Sequence, residues 1–577
     1  MKMKQFFAEL KRRKVIRAVI TYLAVAWLLV QIASIIFPAF DFPDYAIKIL
    51  IYILAIGLFI WIVFSWIYDW TSKGWQKTSE LTGTYAEKTP GRGFLIFFIF
   101  FIAFLMLGGW SIWKMGYEQP KQEIMSLAVL PFDNLSDQPD QEAFVSGLQD
   151  NLITTLSQLR SLRIISRTST LKYEQTERSM KEIGTELDVD ALIKSSVLKF
   201  GDSVRINFQL VQVFPIERHL WARNFDRPLD DNLLHLFNEL AQLVANEIHL
   251  ELSPKEASLL KDSNPVHPEA LKAYLTGKYQ LEKLSPEGFQ KALSLFEKAI
   301  SIDPDYAPVY AELANSYIYM LQMRMINFNK ALPKIYEYNN KALEKDPDLP
   351  EAKFTTALIK WFEWDWESCE NKFQQFLLDN PNHALGNAFY GHLLMLQMRG
   401  DEAMPYMDKA IALDPMNDLL FSLKAFVLLN TGRNEEAGEM LIKSMELNPR
   451  NMLTLRAMET GSATIGDLEG SIGFLDKIYS DMYQLDLDLK TYFKNYGYEK
   501  SILHLCQTIE NEMNGQDLYI ALFYHRIGQF EKSIEWLLRS YENHDVDIPY
   551  LFVGKGLDKV INDPRIIAIS KKVGLPN

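Results

Sequence analysis

Four prolines constrain this chain more than any other feature: Pro347, Pro381, Pro415 and Pro449 each follow Asp or Asn, and each stands 34 residues from the next. Proline has no amide hydrogen, and its ring clashes with the preceding helical turn, so prolines at a fixed interval mark recurring helix ends. Self-similarity at such an interval is the mark of stacked repeats, in which each unit buries its apolar face only against its neighbours. An earlier Asp303-Pro304 precedes Pro347 by 43 residues, which places a nine-residue insertion near MRMINFNKA, around residue 325.

Between the prolines, residues recur where two helices must approach. Ala292, Phe296 and Ala299, then Ala403 and Ala410, then Ala437 fall on second helices, while Ala314, Ala357, Gly391 and Ala425 hold the close-contact position of first helices. This helix-turn-helix unit of 34 residues resembles the tetratricopeptide repeat (TPR). Cys369 takes a small position on a second helix and is expected to pack, and Trp364-Asp365-Trp366 reads as turn and helix-start packing. After Pro449 the pattern weakens, then Ala521, Tyr524, Gly528 and Ser533 recover it, as in terminal repeats that act as caps. A stacked helical array presents a concave face of first helices suited to extended peptides or partner helices. Register places Asn315, Tyr319, Trp361, His392, Met395, Phe426 and Asn430 on that face as candidates for protein binding, with packing between repeats as the alternative for each. No Lys/Asn/Arg clamp for a terminal carboxylate falls in this register.

The apolar residues concentrate in the first 115 positions. Residues 15–37, 46–68 and 94–113 each approach the roughly 20 apolar residues that cross a bilayer as helix, so three transmembrane helices are expected within 15–113. The first run is too long for the apolar core of a cleaved leader, and a second follows at once. Short loops rich in Lys and Arg stay in the cytoplasm. Lys2, Lys4, Lys11, Arg12, Arg13 and Lys14 precede the first run, the first loop has none but carries Asp41 and Asp44, and the second loop returns Lys73, Lys77, Lys88 and Arg92. The basic N-terminus, residues 1–14, is therefore expected in the cytoplasm, and everything beyond residue 114 outside it, in an inner (cytoplasmic) membrane protein. Beside a span, the KRRK run reads as a topology determinant and an anionic-lipid contact.

Between a linker (114–123) and the repeats (262–577), residues 124–252 carry mixed strand and helix signals. SLAVLPF (126–132) and LRIISR (162–167) read as strands, and 139–160 and 178–187 as helices. Apolar runs on both sides of Gly201-Asp202 predict a hairpin that HLWARNFDR extends, and 229–251 a closing helix. The runs LAVLPFDNLSDQPDQEAFVSGLQDNLITTLSQLRSLRIISRTST, EIGTELDVDALIKSSV and VRINFQLVQVFPIERHLWARNFDR resemble the TolB amino-terminal-like domain of bacterial membrane and adenylate-cyclase-associated TPR proteins. FFAELKRRKVIRAVITYLAVAWLLVQIA and LFVGKGLDKVINDPRIIAISKKVGLPN are similar to the membrane and terminal segments of such proteins. One departure is Lys194-Ser195-Ser196-Val197, where relatives read Glu-Gly-Ser-Val. Asp133, Asn134, Ser136 and Asp137 stand after a strand and before a helix, where α/β proteins bind ligands, but such residues are also preferred in turns and caps, and the structural role is expected. His219 and Trp221 are expected to pack.

The fold class that follows is multi-domain: a three-helix transmembrane segment, a small α/β domain and an all-α TPR solenoid. A net charge of −13 argues against nucleic-acid binding. The two cysteines, Cys369 and Cys506, form neither a disulfide framework nor a metal site. No phosphate-binding loop, metalloprotease, nucleophile-elbow, kinase or dinucleotide motif stands in context. The resemblance implies relatives with an added N-terminal cyclase or winged-helix domain, which the 14 residues before the first span do not supply. The expectation is a non-enzyme without cofactor or metal, partnered by a protein or peptide and by the bilayer. Two readings stand: an extracytoplasmic interaction scaffold, and a membrane sensor whose TolB-like domain binds a ligand and signals to a separate cytoplasmic partner.

Overall fold

The computed structural model describes residues 15–39, 45–71, 74–77, 124–136, 142–200, 203–214, 216–228, 233–261, 265–513, 515–553 and 557–575. It divides into two compact units, Met1–Gln122 and Glu123–Asn577.

In the first unit, α1 (Val15–Ala39) and α2 (Tyr45–Ile67) are each long and apolar enough to cross a membrane. Their apolar side chains are turned outward, with Ile20 and Ile60 more than 60% exposed. Water gives such a surface no stabilisation. The two helices meet where the Tyr22 hydroxyl donates to the Leu54 carbonyl at 2.9 Å. Gly57 makes the approach possible, since a Cβ there would fall 2.2 Å from the Tyr22 oxygen. A short hairpin, β1 (Tyr68–Thr71) and β2 (Gly74–Lys77), follows α2. The third expected span, 94–113, and the linker lie outside the described residues.

The second unit opens with the α/β module, where the strand expected over 162–167 shortens to Arg163–Ile164, Arg167 begins a helix that was not expected, and Asp133–Asn134 adds a short strand. Its elements are β3 (Ser126–Val129), β4 (Asp133–Asn134), α3 (Glu142–Ser157), β5 (Arg163–Ile164), α4 (Arg167–Leu171), α5 (Met180–Leu187), β6 (Ala191–Phe200), β7 (Ser203–Gln212), β8 (Arg218–Pro228) and α6 (Leu233–Glu247). The sheet runs β5-β3-β6-β7-β8, with β4 on β6, parallel on one side and an antiparallel meander on the other. Period-two alternation turns Val204, Ile206 and Phe208 of β7 inward, where Phe208 meets Phe132 and Phe225 edge to face at 5.7 and 5.9 Å. The polar residues after β3 play the structural role expected of them: Asn134 accepts from the Ser136 amide, the Ser136 hydroxyl accepts from the Lys199 amide, and Asp133 lies 3.8 Å from Lys194. Asp137 lies outside the described residues. His219 departs from its expected packing role, because β8 is an edge strand and leaves it exposed, while Trp221 is half-buried.

A capped turn of helix, α7 (Pro254–Leu259), leads into the repeats. The paired helices are α8 (Pro268–Leu281) and α9 (Pro286–Ile302), α10 (Ala307–Gln322) and α11 (Phe328–Lys345), α12 (Pro350–Phe362) and α13 (Trp366–Asp379), α14 (Ala384–Leu396) and α15 (Gly400–Leu413), α16 (Asp418–Asn430) and α17 (Asn434–Leu447), and α18 (Met452–Thr464) and α19 (Leu468–Asp476). Every Asp or Asn that precedes a repeat proline is the C-cap of a second helix, from Asp303 to Asn448. The nine-residue insertion is not a loop. It is spread over a longer α10 and α11, at 16 and 18 residues against 13 and 14 in α12 and α13, and over the turn between them. Ala292, Phe296, Ala299, Ala314, Ala357, Ala403, Ala410, Ala425 and Ala437 are all fully buried. At Gly391 a Cβ would meet the Met407 sulfur at 2.8 Å, the crowding that keeps this contact small. Cys369 is buried with its Sγ 3.6 Å from the Ala357 carbonyl, and burial pushes its thiol pKa up.

After α19 the pattern breaks into a π-helical turn, Lys477–Met482, and resumes with α20 (Leu489–Tyr496), α21 (Tyr498–Glu512), α22 (Asp517–Arg526), α23 (Phe530–Glu542), α24 (Ile548–Leu551) and α25 (Pro564–Val573). Gly528 adopts φ +74° in the turn between α22 and α23, and Ala521, Tyr524 and Ser533 are buried on either side of it. These last helices fold back on the middle repeats. Arg324 pairs with Asp545 at 2.8 Å and with Asp547 at 2.7 Å, the Trp366 indole donates to the Val573 carbonyl, and His544 stacks on Trp364.

The α/β module and the array share a core. One apolar cluster runs from Leu127, Ile193 and Phe208 through α3 and α6 to Leu275, Phe296 and Val309. Gly147 on α3 lets the helix lie directly on Leu275 of α8. On the other side of the module, the proline turns act as docking points. The Ser169 hydroxyl donates to Asp414 at 2.5 Å and accepts from the Met416 amide, and Asn382 donates to the carbonyls of Arg160 and Leu162.

Candidate functional site

The first helix of each repeat faces inward, and the module closes one side while the returning α22 and α24 close another. A cavity of about 2890 Å³ remains. Pockets for small molecules occupy roughly 300–1,000 Å³, so this space is of a size for an extended segment of chain.

Five of the residues expected on the concave face line it: Asn315 and Tyr319 of α10, Trp361 of α12, His392 of α14 and Phe426 of α16. Met395 and Asn430 do not. Met395 is buried, and Asn430, the last residue of α16, donates to the Val553 carbonyl at 3.1 Å. Packing and lining are not exclusive here, because the chain's own C-terminal segment covers part of the face. Trp361 stands 6.4 Å from the Tyr550 ring and 6.0 Å from Phe389. His392 is buried between Leu423 and Tyr550. Its Nε2 lies 2.7 Å from the Leu423 carbonyl, which can only accept, so Nε2 carries the proton and Nδ1 accepts from the Tyr550 hydroxyl at 3.2 Å. Desolvation lowers its pKa to about 4, so the ring is neutral at physiological pH. Phe426 and Tyr319 remain half-buried and bordering the cavity.

Two charged groups that register reasoning did not pick out also line the cavity. One lies against the module: Asp150 of α3, Lys278 of α8, Glu312 of α10 and Glu351 of α12. The Lys278 ammonium is 2.5 Å from Asp150 and 3.4 Å from Glu312. Burial works against both ions of the pair, yet their mutual attraction outweighs it, keeping the Asp150 carboxyl below its ordinary pKa and Lys278 above its own. The other group lies where α18 meets α22. The Arg456 guanidinium sits 3.4 Å above the Tyr519 ring, and its nitrogens reach the Tyr479 hydroxyl and the Gln516 side-chain oxygen at 3.4 Å. The signal in the sequence was faint: an ionisable side chain at an inward position of a first helix, at Lys278, Glu312 and Arg456. Among the described residues no group of three or more His, Cys, Asp or Glu has the geometry to hold a metal ion.

Comparison with known proteins bears on both the module and the array. Residues 122–243 match the family described as the HilA/YgeH-like transcriptional regulator, second domain. The chain is 27% identical over 241 residues to a putative adenylate cyclase 3 of Rhizobium meliloti, covering 41% of this chain and 40% of that protein. It is 26% identical over 300 residues to the transcriptional regulator HilA of Salmonella typhimurium, covering 51% and 52%. The chain thus spans about half, or less, of the length of the curated relatives it matches. Among solved structures, YrrB, a TPR protein with an unusual peptide-binding site, aligns at 19% identity and TM-score 0.23, covering 33% of this chain and 91% of that one. TTC0263, a TPR protein of Thermus thermophilus, aligns at 20% identity and TM-score 0.28, covering 32% and 96%.

Proposed function

We propose that this chain is a membrane-anchored, non-catalytic scaffold whose TPR array takes an extended segment of a protein partner into its inner groove. The observation that carries the reading is the cavity itself, about 2890 Å³ in volume, lined by the first helices of successive repeats, and edged by the half-buried aromatics Tyr319 and Phe426. Aromatic side chains of this kind dominate binding energy where they meet a partner. The apolar helices α1 and α2 support an anchor, and the Lys/Arg distribution, read with the span expected at 94–113, supports a soluble portion outside the cytoplasm. In this reading residues 124–252 are a TolB-like module that braces the groove, and the domain limits are those read from the sequence.

A photo-crosslinking side chain placed at 319 or 426 of the full-length protein, in its own membrane, tests the groove. Adducts are expected at both positions and not at Ile442, which is exposed on the second helix α17. Equal adducts at Ile442, or none at 319 and 426, refute the assignment. A reporter fused after residue 577 should be active only outside the cytoplasm, and one inserted in 75–90 only inside. The opposite pattern overturns the orientation.

The match of residues 122–243 to a domain of transcriptional regulators favours a second reading, a membrane regulator that senses through the module and signals to a separate cytoplasmic protein. Specific ligand-induced stabilisation of the module would favour it over the scaffold.

A further inference from the structure

One part of the groove wall has a charge balance that packing does not explain. Near the contact of α3 with α8, Asp150, Glu312 and Glu351 line the same stretch of cavity as one ammonium, that of Lys278, which acts electrostatically on all three. Lys278 is used up by the first two, at 2.5 and 3.4 Å, and Glu312 also accepts from the Asn315 side-chain Nδ2 at 3.2 Å. Glu351 is left over. Its Oε2 is buried and has no hydrogen-bond partner among the described residues, though Lys278, Glu312 and Asp150 are all close enough to act on it electrostatically. A buried carboxylate oxygen without a donor is costly, and the cost falls away when an outside group supplies the missing positive charge.

The walls suit such a guest. Tyr274 already carries the Lys278 ammonium 5.6 Å from its ring centroid, and Tyr306 meets Tyr274 edge to face at 5.2 Å. Both border the cavity, as does Tyr319. Aromatic faces attract ammonium groups most strongly where water is excluded.

We propose that Asp150, Glu312 and Glu351, with the faces of Tyr274, Tyr306 and Tyr319, form a recognition site for an alkylammonium group. That group comes from a lysine side chain of a groove-bound peptide or from a free diamine. The proposal rests on the reading of the groove as a ligand channel and adds the chemistry that the channel selects.

The test is calorimetric titration of the purified full-length protein with three probes: acetyl-Gly-Lys-Gly-amide, the same tripeptide with norleucine in place of lysine, and 1,5-diaminopentane. The lysine peptide, the diamine or both are expected to bind, with the norleucine peptide at least about tenfold weaker than the better of them. Whichever of the two binds more tightly identifies the source. Glu351→Gln is near-isosteric and replaces a carboxyl whose charged form burial disfavours, raising its pKa, so it should melt no earlier than wild type and lose about tenfold or more in affinity for the amine. Equal binding of lysine and norleucine peptides, no binding of either amine, or amine binding unchanged in Glu351→Gln overturns the proposal. Crosslinking at position 426 of the Glu351→Gln protein separates the two failures. Adducts that persist while the amines fail to bind remove the cation site and leave the groove standing, whereas absence of adducts in wild type removes the groove reading itself.

Discussion

Replacing Gly147 by alanine asks whether the α/β module and the repeat array are one cooperative body. A Cβ at this position falls 2.7 Å from the Leu275 Cβ, 2.8 Å from its Cδ2 and 3.0 Å from its Cγ. The Leu275 Cβ is fixed to the backbone of α8 and cannot rotate aside, so the helices must part by roughly an ångström to restore a normal carbon–carbon separation. Overpacking of this kind costs about 1–3 kcal/mol, while exchange of glycine for alanine inside a helix returns about 1 kcal/mol. The net expectation is destabilisation by about 1 kcal/mol, rising to about 3 for Gly147→Val. Gly438, inside α17 with nothing within 4 Å of the added atom, is the control, and its alanine variant should gain about 0.5–1 kcal/mol. Urea denaturation of residues 123–577, followed by circular dichroism and by tryptophan fluorescence, reads both effects. Coincident transitions that shift together in the Gly147 variants are expected. If Gly147→Ala stabilises as Gly438→Ala does, or the two probes separate and only one moves, the shared core is not a single folding unit and the reasoning fails.

Four further outcomes follow from the same packing. Ala410→Leu should destabilise by about 1–3 kcal/mol in thermal melts, because the site is fully buried between helices. Phe426→Ser should lose less stability than Ala410→Leu and lose partner capture in a pull-down; a melt as early as that of Ala410→Leu would make Phe426 a core residue. His392 is neutral in the fold with a pKa of about 4 but takes a proton below about 6.5 when unfolded. Its contribution is therefore whole above pH 6.5, falls by about 3 kcal/mol as pH drops to 4, and is level below. His392→Gln should be less stable at pH 7 yet show a shallower loss through that window, and an unchanged slope would refute the assignment. Residues 262–577 alone should fold as helix but melt earlier than 123–577, since Ala270, Leu271 and Leu275 lose their cover from α3; equal midpoints would show the module to be dispensable.

What the sequence disclosed was local and periodic. Aspartate or asparagine before proline at a fixed interval marked the C-caps from Asp303 to Asn448, because each such pair ends a helix by its own stereochemistry. Alternation on both sides of residues 201–202 was enough for the hairpin, and its register is continuous from Ala191↔Gln212 to Phe200↔Ser203. The inward face of the first helices was legible at Asn315, Tyr319, Trp361, His392 and Phe426. It slipped at Met395, which lies three residues past His392 and turns into the core, and at Asn430, which closes α16. The acidic cluster was illegible for a different reason. Asp150 and Lys278 are separated by 128 positions, and each alone reads as a solvated helical charge. Only the seating of α3 on α8 buries them together. The return of the C-terminal helices leaves no periodic trace either, since the Trp366 indole and the Val573 carbonyl meet across 207 residues.

That return changes the order in which the array can be completed. A simple solenoid propagates from neighbour to neighbour, each step closing a short loop. Here Arg324 must find Asp545 across 221 residues. Closing so long a loop costs about 1.7 kcal/mol more than closing one of 34 residues, by the logarithmic growth of loop entropy. The guanidinium of Arg324 and the indole of Trp366 are translated well before their partners, so during synthesis the middle repeats stand with an open inner face and unsatisfied donors. The late-arriving residues around Asp545 and Val573 then act as a clasp. An emerging chain stalled before residue 540 should hold the groove wider and remain sensitive to proteases that the finished protein resists.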